Sequence, residues 1–292
     1  MGACSAAIIL ANMLRLAGET SEAGTLLSDA WALLEQRGGE PFWLSTALRL
    51  LGIMALEQED WSNAETYMVQ ALDTARECGY QWSIASALHN LGDLVHLRGD
   101  HPRALALYRE SLLISWAQRD RWSVAVTLPA LAEVLASLGD TEQAIRLFGA
   151  ASSLGETIAT RLVATIPIVE SYRQTVASSR SRLGDAAFEL VWTGGQSLTV
   201  GEAIEEAGRA VELRLQSPAL AAPAEVFPAG LSKREAEVIR LVSAGLTNAQ
   251  VADRLYLSRR TVDAHLRRIY DKLDLSSRTA IVRFAQDHNL LL

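Results

Sequence analysis

Apolar residues recur at intervals of three and four along most of the chain, and this spacing predicts α-helices. The clearest stripe is near the C-terminus, where it is formed by Val262, Leu266, Ile269 and Leu273. Polar residues that cap helices stand between such stripes. We therefore expect an all-α protein.

The segment from Leu231 to Ala285 predicts four short helices separated by turns. Two pairs, Ser232 with Glu235 and Thr247 with Gln250, fit the capping box, and Ser258 and Ser277 are further caps. Only three residues separate a helix at Asn248–Leu255 from one at Arg259–Leu273. So short a turn predicts a helix-turn-helix.

The apolar stripe of the longer helix fixes which residues face outward. At about 100° per residue, the opposite face carries Arg260, Ala264, Arg267 and Asp271, with Asp263 and Arg268 on its flanks. A DNA major groove admits such a helix, and an arginine there can bind guanine through two hydrogen bonds. Ala264 and Arg267 suit this use. The alternative is the solvated surface of a small helical bundle.

The C-terminal segment resembles the DNA-binding domain of LuxR-type bacterial transcription regulators. The likeness rests on Leu231, Arg234, Glu235, Glu237, Val238, Gly245, Asn248, Ala252, Leu255, Ser258, Thr261, Val262, His265, Ile269, Lys272, Leu273 and Arg278. It implies that the third helix enters the major groove. The expected DNA-binding residues are Ser258, Arg259, Arg260, Thr261, Asp263, Ala264, His265, Arg267, Arg268 and Lys272.

Two further expectations follow from this resemblance. The position of Asp263 is often lysine in the family, and a carboxylate near phosphates is repulsive unless it accepts a hydrogen bond from cytosine. The fourth helix pairs two domains on DNA, and we expect Val282 and Ala285 to form its outer surface while Phe284 packs inward. The chain should therefore bind double-stranded DNA as a dimer.

Charge divides the chain at the same place. From Pro228 onward the net charge is +4, whereas the preceding 227 residues carry −11. Contact with phosphates should be confined to the basic end, and its affinity should depend on salt. The acidic part must do something else.

The acidic part repeats itself every 40 residues. Leu51 and Gly52 recur as Leu91 and Gly92, and again as Leu131 and Ala132. Three further series keep this phase: Asp60, Asp100 and Asp140; Ala64, Ala104 and Ala144; Met68, Tyr108 and Phe148. A weaker copy lies upstream, after Gly18. Each unit predicts two helices joined by a turn, and units that cannot bury their apolar faces alone stack on one another.

This pattern resembles tetratricopeptide repeats, although an ordinary helical bundle is the alternative. The resemblance implies a superhelix with a concave groove lined by Arg49, Ser86, His89, Asp93, His96 and Glu133. His89, Asp93 and His96 share one helix face and could hold a metal or an anionic group. We favour a protein partner or a small-molecule effector in the groove, and we expect no metal because no fourth ligand is evident.

The repeats give way to other segments after residue 160. Helical spacing continues over Arg161–Ser179 and Asp185–Trp192. Gly194 and Gly195, which follow the second of these segments, predict that its helix ends there. Thr199 and Glu202 fit another capping box. We expect repeats over 1–160, a helical extension over 161–215, an Ala/Pro linker over 216–229 and the DNA-binding domain over 230–292. The extension loosely resembles the segment before the DNA-binding domain of large ATP-binding LuxR-family regulators.

Several functions lack the residues they would need. Those large regulators bind nucleotides, but the nearest phosphate loop here, Gly149–Thr157, has the wrong spacing and Glu156 in place of the lysine. We expect no cofactor and no enzymatic activity. The sequence shows no membrane-spanning run or secretory signal, and the two cysteines, Cys4 and Cys78, fit a reduced cytoplasmic protein.

Two functions remain after these exclusions. One is a DNA-binding transcription regulator whose repeats sense a ligand or bind a partner. The other is a helical-repeat scaffold without sequence-specific DNA binding. For the regulator, the acidic repeats could cover the basic recognition helix until an effector occupies the groove, or the linker could leave the two parts independent.

Overall fold

The computed structural model describes residues 2–158, 167–216, 228–231, 233–255, 259–288 and 290. This described part consists of helices and their connections and contains no strand, so the expected all-α class is confirmed. No helix within it is both long and apolar enough to cross a membrane.

Eight helices form four antiparallel pairs in the N-terminal half. Their bounds are α1 Gly2–Ala17, α2 Thr20–Arg37, α3 Pro41–Glu57, α4 Trp61–Cys78, α5 Gln81–Leu97, α6 His101–Ala117, α7 Arg121–Ser137 and α8 Thr141–Ile158. The starts of α3, α5 and α7 are 40 residues apart, as the sequence period predicts. Asp60 and Asp100 accept hydrogen bonds from backbone amides three residues on, so they cap α4 and α6.

The repeated small residues let the two helices of a unit approach each other closely. A Cβ at Gly52 would lie 2.7 Å from Cγ of Met68, and one at Gly92 would lie 2.6 Å from Cε1 of Tyr108. Met68 and Tyr108 are almost fully buried, as are Ala64 and Ala104 on the same helices. The repeat pattern therefore encodes a packing rule, in which a small residue on one helix receives a large one from the other.

Three helices extend the array, namely α9 Pro167–Leu183, α10 Asp185–Gln196 and α11 Val200–Leu215. The break predicted at Gly194 and Gly195 is wrong, because α10 continues through both. The reason is close packing on α8: a Cβ at Gly195 would lie 2.0 Å from the carbonyl oxygen of Arg146, and one at Gly149 would lie 2.4 Å from that of Trp192. Gly149, which began the failed phosphate loop, thus belongs to a helix crossing.

Helix α11 folds back over the second helices of the last two repeats. Its capping box, Thr199 with Glu202, forms as predicted. Arg214 pairs with Asp140, Arg109 pairs with Glu212, and Arg146 donates to Glu206 at 2.7 Å. Ala207 and Val211 of α11 are fully buried in the core of these repeats. The helical extension therefore closes the end of the array.

In the described part of the C-terminal domain, four helices share a core of their own. They are α12 Lys233–Ser243, α13 Asn248–Leu255, α14 Arg259–Leu273 and α15 Arg278–Asp287, preceded by a short turn at Pro228–Gly230. All the buried residues of this core come from Leu231–Leu290. Ser277 caps α15 as predicted, whereas Ser232, Ser258 and the turn at 256–258 lie outside the described residues.

We predict that Gly92→Ala lowers the free energy of unfolding by about 1–2 kcal/mol. The added methyl group would collide with the buried Tyr108 ring, and the strain should exceed the gain in helix propensity. Gly208→Ala is the matched control, because a Cβ on this glycine of α11 meets no atom within 4 Å. We expect this control to stabilise the protein by about 0.5–1 kcal/mol. Chemical denaturation of the full chain measures both, and an equal response would refute the packing rule.

Candidate nucleic-acid interface and repeat groove

The predicted helix-turn-helix corresponds to α13 and α14, with the bounds expected from the sequence. Thr247 and Gln250 exchange the hydrogen bonds of a capping box at the start of α13, at 2.9 and 3.3 Å. Val262 and Ile269 of α14 are fully buried, Leu266 nearly so, and Leu273 packs against the same core. The apolar stripe therefore seats α14 on its own domain, as predicted.

The opposite face of α14 is polar and open. The Arg267 side chain is 68% exposed, and Asp263 and Asp271 are also exposed. The structure places this arginine on the face predicted to meet DNA bases. Ser258 and the side chains of Arg259, Arg260, Thr261 and Ala264 lie outside the described residues.

Asp263 belongs to a hydrogen-bond network that was not predicted from the sequence. Its Oδ1 accepts a hydrogen bond from Nδ2 of Asn248 at 2.6 Å, and Oδ1 of Asn248 accepts from Arg278 at 2.9 Å. Arg278 also donates to the carbonyl oxygen of Leu246. This network joins α13, α14 and α15. The carboxylate therefore has a partner within the domain, and Asn248 and Arg278 hold the two helices of the motif in place.

Two other residues expected at the DNA face point elsewhere. His265 is only 2% exposed, so its side chain lies in the domain interior. Lys272 donates to Oε2 of Glu235 at 2.8 Å and to the carbonyl oxygen of Gly230 at 3.3 Å. Glu235 is buried, and a buried carboxylate is costly without such a partner. The structure thus gives Lys272 a role in binding the domain together.

The outer pair expected on α15 does not form. Ala285 is fully buried, together with Ile281 one turn earlier, so Ala285 cannot present an outer surface. Val282 and Phe284 are half-buried. Phe284 stacks on His288, with ring centroids 4.1 Å apart. The helix therefore turns its 281/285 face inward, and of the expected pair only Val282 keeps surface for a partner.

The open face of α14 is in contact with the second repeat. Nη1 of Arg267 lies 2.7 Å from Oε2 of Glu59, in the turn between α3 and α4. The guanidinium carbon of Arg268 lies 3.5 Å from the ring centroid of Trp61, the first residue of α4. Burial lowers the pKa of Arg268 to about 10, so the residue remains charged at neutral pH. The charges of the two halves allowed the repeats to cover this helix, but Glu59 and Trp61 were not predicted as the contacting residues.

The groove residues of the repeats link neighbouring first helices. Arg49 of α3 donates to Asn90 of α5 at 3.3 Å, and burial lowers the pKa of Arg49 to about 10. His89 of α5 lies 3.1 Å from the Thr127 hydroxyl of α7. Ser86 is half-buried on α5. The polar lining thus helps to hold successive repeats together.

The three residues considered for a metal or anion separate into two groups. His89 and Asp93 lie together, with Nε2 and Oδ2 3.5 Å apart. His96 instead faces His101 of α6, and their Nδ1 atoms are 3.3 Å apart. Among the described residues, no group of three or more His, Cys, Asp or Glu side chains could hold a metal ion. The separation arises because His96 lies about one helical turn beyond Asp93, near the C-terminal end of α5. There it is close to His101 at the start of α6.

Glu133 lies in a buried polar cluster at the end of the groove that α9 covers. Ser171 of α9 donates to Glu133, and Tyr108 donates to Asp93 at 2.6 Å. Burial raises the pKa of Glu133 to about 7, the Ser171 hydrogen bond opposes this shift, and the charge of Asp93 adds to it. The Tyr172 hydroxyl is also buried and has no hydrogen-bond partner among the described residues. The cluster is therefore polar, acidic and incompletely satisfied.

We predict that Glu133→Gln changes the pH dependence of stability. A raised folded pKa means that the folded state binds the proton more tightly, so wild-type stability should fall as pH rises from about 4.5 to about 7. The glutamine still accepts from Ser171 but never carries the buried charge. The variant should match the wild type near pH 4.5 and exceed it by on the order of 3 kcal/mol at pH 8.

Denaturation of the full chain at several pH values measures this difference. Glu142→Gln, on the exposed surface of α8, is the matched control and should leave the pH profile unchanged. Parallel profiles for the wild type and Glu133→Gln would contradict the prediction.

Comparison with known proteins bears on both halves of the chain. Residues 229–285 match the family described as "Bacterial regulatory proteins, luxR family", and residues 83–157 match the family described as "Tetratricopeptide repeat". No solved structure matches the chain.

Similar proteins fall into two groups. Proteins of Mycobacterium bovis and Mycobacterium tuberculosis, each named "Putative HTH-type transcriptional regulator", are 36% identical over 159 residues. That alignment covers 53% of this chain but only 17% of either relative. Oxygen regulatory protein NreC of Staphylococcus haemolyticus is 43% identical over 61 residues, which are 21% of this chain and 28% of that protein.

Fimbriae Z protein of Salmonella typhimurium is 39% identical over 61 residues, which are 21% of this chain and 29% of that protein. Each comparison reaches less than a third of the relative's own length. The helix-turn-helix geometry and the family match cover the same residues. The C-terminal domain of this chain therefore belongs to the LuxR family of bacterial regulatory proteins, and it follows an array of tetratricopeptide repeats.

Proposed function

We propose that this protein is a transcription regulator that binds double-stranded DNA through α14. The observation that carries the proposal is the position of Arg267, exposed at the centre of the outer face of a LuxR-family recognition helix. A protruding arginine at such a place can bind the O6 and N7 atoms of guanine in the major groove. The matched relatives that are named transcriptional regulators support the same function. A DNA-binding regulator would act in the cytoplasm.

The electrostatics of the two halves suit this division of labour. The segment from Pro228 onward carries +4 and the rest of the chain −11, so phosphates would be attracted to one end only. Arg268, next to Arg267 on α14, would contact a phosphate rather than a base. Phosphate contacts give affinity that falls with salt and does not depend on sequence.

We further propose that the repeat region receives the regulatory signal at its concave face. The support is the cluster around Glu133 and Tyr172, in which a buried hydroxyl without a partner lies beside two acidic side chains. A peptide or small effector that displaced α9 would reach this buried cluster, and its hydrogen-bond donors would satisfy groups that the fold leaves unsatisfied. The links from Arg49 to Asn90 and from His89 to Thr127 would transmit a change at this cluster along the repeats.

The proposed regulator binds DNA as a dimer. A single recognition helix reads few base pairs, and helix-turn-helix proteins gain specificity by pairing on half-sites about one turn of DNA apart. With Ala285 buried, the pairing surface of α15 would centre on Val282. This residue is half-buried and flanks the face that carries the fully buried Ile281 and Ala285.

Substitutions of the two arginines test the assignment of DNA contacts. Arg267→Ala should cost about 1–3 kcal/mol at the preferred site and relax the preference at one base position. Arg268→Ala should weaken all sequences alike and lower the salt slope by about one unit. Binding to specific and random duplexes is titrated with the fragment 228–292, whose core comes entirely from its own residues.

The result of this titration also separates the two candidate functions. Equal, sequence-blind losses from both variants would overturn the assignment of Arg267 to a base. A folded fragment that binds no duplex at any salt concentration would reject DNA binding and favour the repeat scaffold.

We predict that Val282→Glu abolishes the complex of two domains on DNA while leaving the helix content unchanged. The added charge would be buried without a partner between two copies of α15. Arg283→Gln is the control, because the Arg283 side chain is 85% exposed on another side of the same helix. Native mass spectrometry of fragment 228–292 on a two-site duplex counts the bound domains. An unchanged stoichiometry for Val282→Glu would place the pairing surface elsewhere.

A further inference from the structure

The turn between α3 and α4 holds two adjacent arginines of α14. Glu59 forms an ion pair with Arg267, and the face of the Trp61 ring lies against Arg268. Trp61 also lines an open groove of about 600 Å³ on α4, together with Glu65 and Arg98. The two arginines thus contact the second repeat at the turn that precedes this groove. This pair of contacts connects residues more than 200 positions apart in the sequence.

The chemistry of the two contacts matches what DNA would offer the same side chains. Glu59 presents an anionic oxygen to Arg267, where guanine would present O6 and N7. The Trp61 ring presents its negative face to Arg268, where a phosphate would present its charge. A guanidinium cannot occupy both positions at once. Binding of α14 to the repeat and binding of α14 to a major groove therefore exclude each other.

The backbone at Glu59 is unusual for the place it occupies. Glu59 has φ of 64°, in the left-handed region, where the next two repeats have Gly99 and Gly139 with φ of 82° and 89°. A residue with a side chain costs roughly 1–2 kcal/mol in this conformation, whereas glycine is suited to it. Among these three repeats only the second carries a side chain at this turn position, and that side chain can take a role that glycine cannot. The role visible in the structure is the ion pair with Arg267.

We propose that Glu59 and Trp61 form a docking surface for the recognition helix of this same chain. DNA must then displace the second repeat before α14 can enter the major groove. The proposal rests on the proposed function, because a surface that controls DNA binding by α14 presupposes that α14 binds DNA. A second step follows from it. Any signal that moves the α3–α4 turn changes the fraction of the protein that is free to bind DNA.

The docked state is held weakly enough for DNA to compete. The Arg267 ion pair is exposed on the arginine side, and such pairs contribute little. Nε of Arg268 is buried without an acceptor among the described residues, and the positive charge of Arg98 lies near it. Phosphate oxygens would satisfy the donor that the repeat leaves unpaired. From the usual strengths of an exposed ion pair and a cation–π contact, docking should lower DNA affinity roughly three- to thirtyfold.

The test compares DNA affinity among full-length variants at one salt concentration. Glu59→Gly removes the carboxylate and installs the residue that the next repeats use, so the fold should be retained. Trp61→Leu keeps an apolar side chain but removes the aromatic face. The double variant should bind duplex DNA roughly three- to thirtyfold more tightly than the wild type, approaching the affinity of fragment 228–292.

Three matched controls separate docking from general effects. Glu77→Gln makes the same change of charge on an exposed site of α4. Arg119→Gly relieves the same left-handed backbone, with φ of 56°, in another repeat turn. Trp122→Leu replaces an indole that is 41% exposed at the start of α7. Each control should change the affinity less than twofold, and a double variant that behaves like the controls would overturn the proposal.

A second measurement on the full chain needs no DNA. Hydrogen exchange of α14 should be faster in the double variant than in the wild type, and small-angle scattering should show a larger maximum dimension. If fragment 228–292 binds no DNA while these changes appear, docking holds and the proposed function fails. If the fragment binds DNA but the double variant shows neither tighter binding nor these changes, the docking surface is wrong and the proposed function stands.

Discussion

Close contact between paired helices is the constraint on which the rest of this structure depends. Each repeat brings a small residue, such as Gly92, against a large buried one, such as Tyr108. The Tyr108 ring fills the space that a Cβ atom at this position would occupy. The same device recurs where α8 crosses α10, at Gly149 and Gly195. A two-helix unit cannot bury its apolar face alone, so this packing makes stacking the stable solution.

Polar contacts on the concave side link each first helix to the next one in the stack. Arg49 reaches Asn90, His89 reaches Thr127 and Glu133 accepts from Ser171, so each link joins one first helix to the next or to α9. These links lie in a half-buried environment, where an unpaired group is costly. A change in the protonation or partner of Glu133 would therefore act on a connected series of contacts between the repeats.

The C-terminal domain uses its charges in two different ways. Lys272 and Arg278 are bonded within the domain, to Glu235 and to Asn248, and they hold its helices in register. Arg267 and Arg268 point away from the domain, so their partners must come from outside it. In the structure the second repeat supplies those partners, with Glu59 and Trp61. An outward arginine that already has a partner gives the protein two mutually exclusive states.

The sequence by itself determined the features that depend on local interactions. The bounds of α13 and α14, the capping boxes at Thr247 and Thr199, and the 40-residue period were all predicted and confirmed. The buried stripe from Val262 to Ile269 followed from spacing alone. Helical periodicity and capping act within one or two turns of the chain, so neighbouring residues are enough to fix them.

The tertiary structure decided everything that depends on which elements meet. Glycines that predict a break became part of a continuous helix because α8 lies against them, and Ala285 turned inward because α12 lies there. His96 found His101 instead of the other groove residues, and Asp263 found Asn248. The contact of Arg267 with Glu59 has no local signal at all, because it joins two regions whose approach depends on the packing of the whole chain.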